Sequence, residues 1–82
     1  MNVPNVISAK AVNGHTLLVE FDNRVRKTYD VRPLLDKEMF APLKQVALFK
    51  SVSVEPGGYA VAWGKEIDLS EHELWQHGVE AG

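Results

Sequence analysis

Hydrophobic and polar positions alternate with a period of two through the first third of the chain, the signature of half-buried strands. From Val6 to Val12, the positions Ile7, Ala9 and Ala11 alternate with Ser8, Lys10 and Val12. Asn13-Gly14 follows, and both residues tolerate the positive φ of a type I′ turn, which predicts a hairpin. From His15 to Phe21 the chain returns, with Leu17, Val19 and Phe21 on one face and Thr16, Leu18 and Glu20 on the other. Asp22-Asn23 marks a second turn. Arg24 to Val31 reads as a third strand, with Val25, Lys27, Tyr29 and Val31 opposite Arg24, Arg26, Thr28 and Asp30. Residues 6–31 are therefore predicted to form a three-stranded antiparallel meander with one wet face.

The pattern then changes. Pro33 removes a strand donor, and Leu34-Leu35 is expected to anchor a short turn on the core. Met39, Phe40, Leu43, Val46, Ala47 and Leu48 recur at helical spacing. This predicts one or two short helical turns, broken near Ala47, with Pro42 accommodated in a first turn. Ser51 to Glu55 and Tyr59 to Trp63 alternate again around Pro56-Gly57-Gly58, an unambiguous turn. Gly64-Lys65-Glu66 is a further turn, and Ile67 to Leu69 is extended. Ser70-Glu71-His72-Glu73 fits a capping box, in which Ser70 accepts from the Glu73 amide and the Glu73 side chain reaches back. A short helix from Glu71 to His77 follows, docked by Leu74 and Trp75 and stopped at Gly78. Residues 79–82 are expected to fray. The reading is a small single α+β domain over residues 1–82, with an ordered core of about 3–78. It has the order β3-α-β2-α: a three-stranded antiparallel meander, a short helical segment, a second β-hairpin and a C-terminal helix.

Composition narrows the possible chemistry. The 82 residues include no cysteine, which excludes disulfides and thiolate metal sites. The net charge of -2 argues against bulk-charge binding of nucleic acid. The charge is uneven: residues 1–41 carry six basic and five acidic side chains, residues 42–82 three and six. No apolar stretch approaches the length of a membrane span, and the N-terminus lacks the pattern of a signal peptide. The expectation is a cytoplasmic protein that engages no membrane. A chain this short buries only about 60–65% of its unfolded surface, so its core is thin.

No set of catalytic residues stands out. His72 and His77 lie about 140° apart around a helix and cannot share a ligand face. Glu73 and His77 are spaced to meet, yet two groups fall short of a metal centre, so neither metal nor cofactor is expected. Ser8, Ser51, Ser53 and Ser70 lack a nucleophile elbow, and Ser70 is explained by capping. Glu66 and Asp68 point the same way on an extended segment, which suits turn amides or helix capping better than acid–base chemistry. A domain of this size also has difficulty enclosing a substrate. The chain is therefore expected not to be an enzyme. Arg24 and Arg26 share one strand face with Thr28, the one basic cluster, but without the interleaved aromatics of a single-strand binder.

The segments Tyr29-Asp30-Val31-Arg32-Pro33-Leu34-Leu35 and Trp63-Gly64-Lys65-Glu66-Ile67-Asp68-Leu69-Ser70, with Phe21-Asp22, carry a resemblance. So does the spacing of Leu43, Phe49 and Val52. The chain resembles the small bacterial family called domain of unknown function 2442 (DUF2442), over about residues 3–77. One departure is visible: relatives usually place proline and asparagine between the tryptophan and the next glycine, whereas Gly64 follows Trp63 directly. The resemblance implies a β-rich fold and no assigned activity. Some members are similar to antitoxin-like proteins encoded beside a small toxin. Longer relatives add a helix-turn-helix, for which these 82 residues are expected to leave no room.

Seven aromatic residues in 82 are many for a thin core. Tryptophan and tyrosine are favoured at interface centres, and end strands offer edges for pairing. The function expected from sequence is a non-enzymatic protein-interaction module, antitoxin-like in the family's terms, that binds a small protein partner or forms a homo-oligomer. Trp63, Lys65, Trp75, Arg24 and Arg26 are its candidate partner-binding residues. The alternative is a nucleic-acid-associated regulator that uses the Arg24/Arg26 strand face.

Overall fold

A computed structural model describes residues 3–81 as two antiparallel sheets with short helical pieces between and after them. Strands β1 (Val6–Ala11), β2 (Thr16–Phe21) and β3 (Arg26–Asp30) form the predicted meander. A 3-10 turn at Arg32–Leu34 and a longer one at Glu38–Lys44 lead into helix α1 (Val46–Phe49). Strands β4 (Ser53–Val54), β5 (Ala60–Trp63) and β6 (Ile67–Ser70) form the second sheet. Helix α2 (Glu71–His77) and strand β7 (Val79–Glu80) follow. The sheet orders are β1-β2-β3-β7 and β4-β5-β6. No helix among the described residues is long and apolar enough to cross a membrane.

The α+β class holds, and the alternation sorts the faces as expected. Leu17, Val19 and Phe21 are buried, as are Val61, Trp63, Ile67 and Leu69 on the facing sheet. The two inner faces close on one apolar core, which supplies most of the stability of a fold this size.

Several local expectations are corrected. Asn13-Gly14 does turn the first hairpin, but neither residue has a positive φ. Instead the Asn13 side chain accepts from the amides of both His15 and Thr16, each at 2.8 Å, and Val12 donates to Thr16. An Asx-type turn has replaced the type I′ turn. Val6 pairs with Phe21 and Ser8 with Glu20, so Ile7 is the extra residue of a bulge. The bulge turns Val6 inward and leaves Ile7 half exposed, outside the face it was expected to share with Ala9 and Ala11.

The helical segment breaks at Gln45, which is extended, rather than near Ala47. Pro42 lies inside the 3-10 turn and not in a first turn. Residues 79–81 do not fray. Val79 and Glu80 pair with Thr28 and Lys27, and the Ala81 amide donates to Arg26. Gly82 lies outside the described residues. Ile67–Ser70 pairs along β5, so the second hairpin is extended into a three-stranded sheet.

Gly58 ties the two sheets together. It has a φ of 74°, and its carbonyl accepts from the Val6 amide at 2.9 Å. A Cβ there would collide with the Val6 carbonyl, so the close approach of β1 to the β4–β5 turn requires glycine.

Candidate functional site

Residues Asp30 to Leu35 build a tight turn after β3. Asp30 ends β3, and its carboxylate accepts from the Arg32 amide at 2.9 Å. Pro33 has no N–H and fits the tight turn that this bond opens. Leu34 and Leu35 then pack against the core. The Arg32 guanidinium returns to the same carboxylate, with Nη2–Oδ2 at 2.7 Å and Nε–Oδ2 at 2.9 Å. That charge-assisted bond holds Asp30 at about 2, well below the usual carboxylate range. His15 adds a longer contact, Nδ1–Oδ1 at 3.4 Å.

Helix α2 packs across β3 just beyond this turn. Ser70 caps it, accepting from the Glu73 amide at 3.1 Å. The reciprocal half of the capping box is not made, because the Glu73 side chain is engaged elsewhere. Its Oε2 accepts from the Tyr29 hydroxyl at 2.7 Å and meets His77 Nδ1 at 3.0 Å. Burial, then the bond to Glu73 and its charge, push the Tyr29 hydroxyl up, so it remains a donor.

Between these parts lies an open cleft of about 510 Å³. Thr28, Tyr29 and Asp30 form one wall, Glu73 and His77 another, and Pro33, Leu34 and Val79 supply apolar surface. The register adds a backbone group. Phe21 donates to Val25 and Val31 to His15, so the alternation points the amide and carbonyl of Asp30 away from β2. Strand β7 pairs only as far as Thr28, so these groups face the cleft beyond its end.

Among the described residues His15 comes nearest to a catalytic pairing, and its geometry is not that of a triad. Thr16 Oγ1 lies 3.1 Å from His15 Nδ1, but Asp30 meets that same nitrogen. A working triad places the nucleophile and the orienting carboxylate on opposite ring nitrogens. Among the described residues no group of three or more His, Asp or Glu side chains is placed to hold a metal ion.

Both segments that carry the resemblance thus build the fold. The first forms the turn beside the cleft. The second buries Trp63, whose indole N–H donates to the Phe49 carbonyl at 2.8 Å, then packs Ile67 and Leu69 inside and caps α2 with Ser70. A family model described as "Protein of unknown function (DUF2442)" matches residues 6–80. The chain belongs to this family. No curated protein and no solved structure matches it. As a DUF2442 member it carries its family signature mainly as architecture, and the cleft is where that architecture leaves polar groups facing outward.

The five candidate partner-binding residues do not share one surface. Trp63 is only 2% exposed and stacks on Phe49 with ring centroids 5.9 Å apart, so its ring cannot meet a partner. Trp75 is half-buried, edge-on to Phe21 at 5.0 Å, and one face is covered by the Lys27 ammonium 4.1 Å above it. Lys65 sits exposed in the turn after β5. Arg24 is not on β3; it lies in the preceding turn with a φ of 73° and pairs with Glu20 at 3.5 Å. Arg26 is on β3, directly across from Glu20. The two arginines therefore flank a carboxylate, beside a shallow hollow floored by Ser8 and Leu18, and do not form a continuous basic strand face.

Sequence reasoning missed the cleft and the part that Tyr29 and Val79 play in it. It did expect Glu73 and His77 to meet, from their i, i+4 spacing, and they do. Tyr59 opens the segment read as a strand to Trp63, but it is 65% exposed over the Gly57 turn.

Proposed function

We propose that this chain is a non-enzymatic protein-interaction module that binds a small protein partner or a second copy of itself in the cytoplasm. The antitoxin-like role implied by the resemblance is one form of this reading. The observation that supports it best is the cleft beside β3. Its wall groups are hydrogen bonded to one another rather than aligned on a reacting atom, and its rim carries Val79, a large apolar side chain left 68% exposed. An open, partly apolar surface with pre-ordered polar groups suits recognition of another chain.

The test is molar mass in solution, by light scattering and sedimentation over a wide concentration range. The expected result is a stoichiometric complex, with itself or with a partner retained through purification, that Val79→Asp weakens. Trp75→Ala, which removes the ring packed edge-on to Phe21, weakens it as well. A monomer at all concentrations with no stoichiometric partner would overturn the reading. If DNA or RNA is retained instead, the alternative regulator role takes its place, and Arg24→Glu and Arg26→Glu must then abolish binding at low salt.

A further inference from the structure

The hydrogen-bonding inventory of the cleft is one-sided. The hydroxyl of Tyr29 is committed to Glu73, the guanidinium of Arg32 to Asp30, and Nδ1 of His77 to Glu73. What faces the open space is mainly acceptors. Glu73 takes both of its contacts on Oε2, leaving Oε1 with none among the described residues. The Asp30 carbonyl points past the end of β7. The Thr28 hydroxyl, whose one contact is a long bond to the Val79 carbonyl, has lone pairs to offer. The charges are also one-sided. Arg32 offsets Asp30, and Glu73 has no Lys or Arg salt-bridge partner among the described residues. Beside these acceptors lies apolar surface from Pro33, Leu34 and Val79.

We propose that this cleft receives a lysine or arginine side chain of the protein partner. The ammonium or guanidinium would meet Glu73 Oε1, the Asp30 carbonyl and the Thr28 hydroxyl, while its methylene stem lies on Pro33, Leu34 and Val79. A carboxylate bonded to a cation gives the stronger, charge-assisted kind of hydrogen bond, and long basic side chains bury their stems on apolar surface while presenting their charge. An anionic side chain would find the Asp30 amide and the His77 imidazole as donors, but it would lie against the Glu73 carboxylate and the Asp30 carbonyl. This inference rests on the interaction reading above.

The probe is N-acetyl-arginine amide, followed by amide NMR shifts of the ¹⁵N-labelled chain, with N-acetyl-citrulline amide as the uncharged control of equal shape. The expected result is saturable shifts confined to residues 28–34 and 73–79, with binding about tenfold weaker for citrulline. Glu73→Gln keeps an acceptor for Tyr29 but removes the charge, and is expected to weaken arginine about tenfold while leaving citrulline unchanged. Val79→Arg, a change at an exposed site, places a basic side chain at the rim and is expected to block the probe. Should Glu73→Gln fail to fold, Val79→Arg carries the test. Shifts elsewhere, equal binding of citrulline, or indifference to both variants would overturn the proposal. If the chain forms its complex but the probe fails in these ways, the cleft assignment falls and the interaction reading stands. If the probe binds as expected but no complex forms, the interaction reading falls and the protein partner with it, and the cleft keeps only its preference for a basic group.

Discussion

The Tyr29 hydroxyl donates to Glu73 Oε2 at 2.7 Å, across 44 residues of sequence, and this bond fastens helix α2 to strand β3. It also draws the Glu73 side chain away from the helix start, where Ser70 caps alone. Together with buried Leu74 and the packing of Trp75 on Phe21, this contact positions the helix, and it also fixes a half-made capping box and one wall of the cleft.

Removing that hydroxyl has a readable consequence. Tyr29→Phe keeps the buried ring and loses the bond, at a cost of about 1 kcal/mol. The pH dependence gives a second signature. The folded-state value of Tyr29 is raised above its ordinary 10.0. Its contribution is therefore fully present below pH 10 and is lost as pH rises toward the raised value. Chemical denaturation at neutral pH and above pH 10 is expected to show a smaller alkaline loss for Tyr29→Phe than for the parent chain.

Asp30 gives the opposite sign. Its folded value of about 2 lies below the ordinary 3.8. The stabilisation is present above about pH 4 and is lost as pH falls toward 2. Both partners of the Asp30–Arg32 pair are substantially exposed, so the effect is small and screened by salt. Thermal melts from neutral pH down to pH 2 are expected to converge for the parent and Asp30→Asn at the acid end and to separate above about pH 4.

Trp63 and Lys65 separate structure from surface. Trp63→Phe leaves the Phe49 carbonyl without its donor and opens space in the core, costing about 1–3 kcal/mol. Lys65→Ala, in an exposed turn, is expected to change stability by less than about 0.5 kcal/mol. Urea midpoints for the two variants check the contrast.

Gly58→Ala is expected to destabilise by more than an ordinary turn substitution. The φ of 74° is unfavourable for alanine, and the new methyl meets the Val6 carbonyl. A loss of about 2 kcal/mol or more, with faster amide exchange at Val6, is the expected outcome. Alanine at Gly64 shares the strained φ but has no neighbour within contact, so it is expected to cost less.

Much of this architecture is readable along the chain because it is local. Period-two alternation located the strands of the meander and of the second hairpin but not β7, Pro56-Gly57-Gly58 marked the turn, and Ser70 the start of α2, with helix bounds of Glu71–His77 that the structure repeats. Errors arose where a local signal had two solutions. Asn13-Gly14 can turn a hairpin through backbone φ or through the Asn side chain, and the latter was used. An alternating strand can also absorb a bulge, which at Ile7 exchanged inside for outside.

The cleft was harder to read because its parts come from distant segments. Nothing near Tyr29 announces Glu73, and nothing near Thr28 announces Val79. Their meeting depends on α2 crossing β3 and on β7 returning to its edge, which are packing events of the whole chain. The same events covered one face of Trp75 with Lys27 and enclosed Trp63 behind Phe49, although two tryptophans in a thin fold looked equally available.

The class of the fold, the places where the chain turns and the absence of cysteine chemistry follow from residue order, because hydrophobic period, turn residues and composition act within a few positions. The face each aromatic ring presents, the partner of each carboxylate and the existence of the cleft follow from packing, because each depends on which distant surfaces exclude water together.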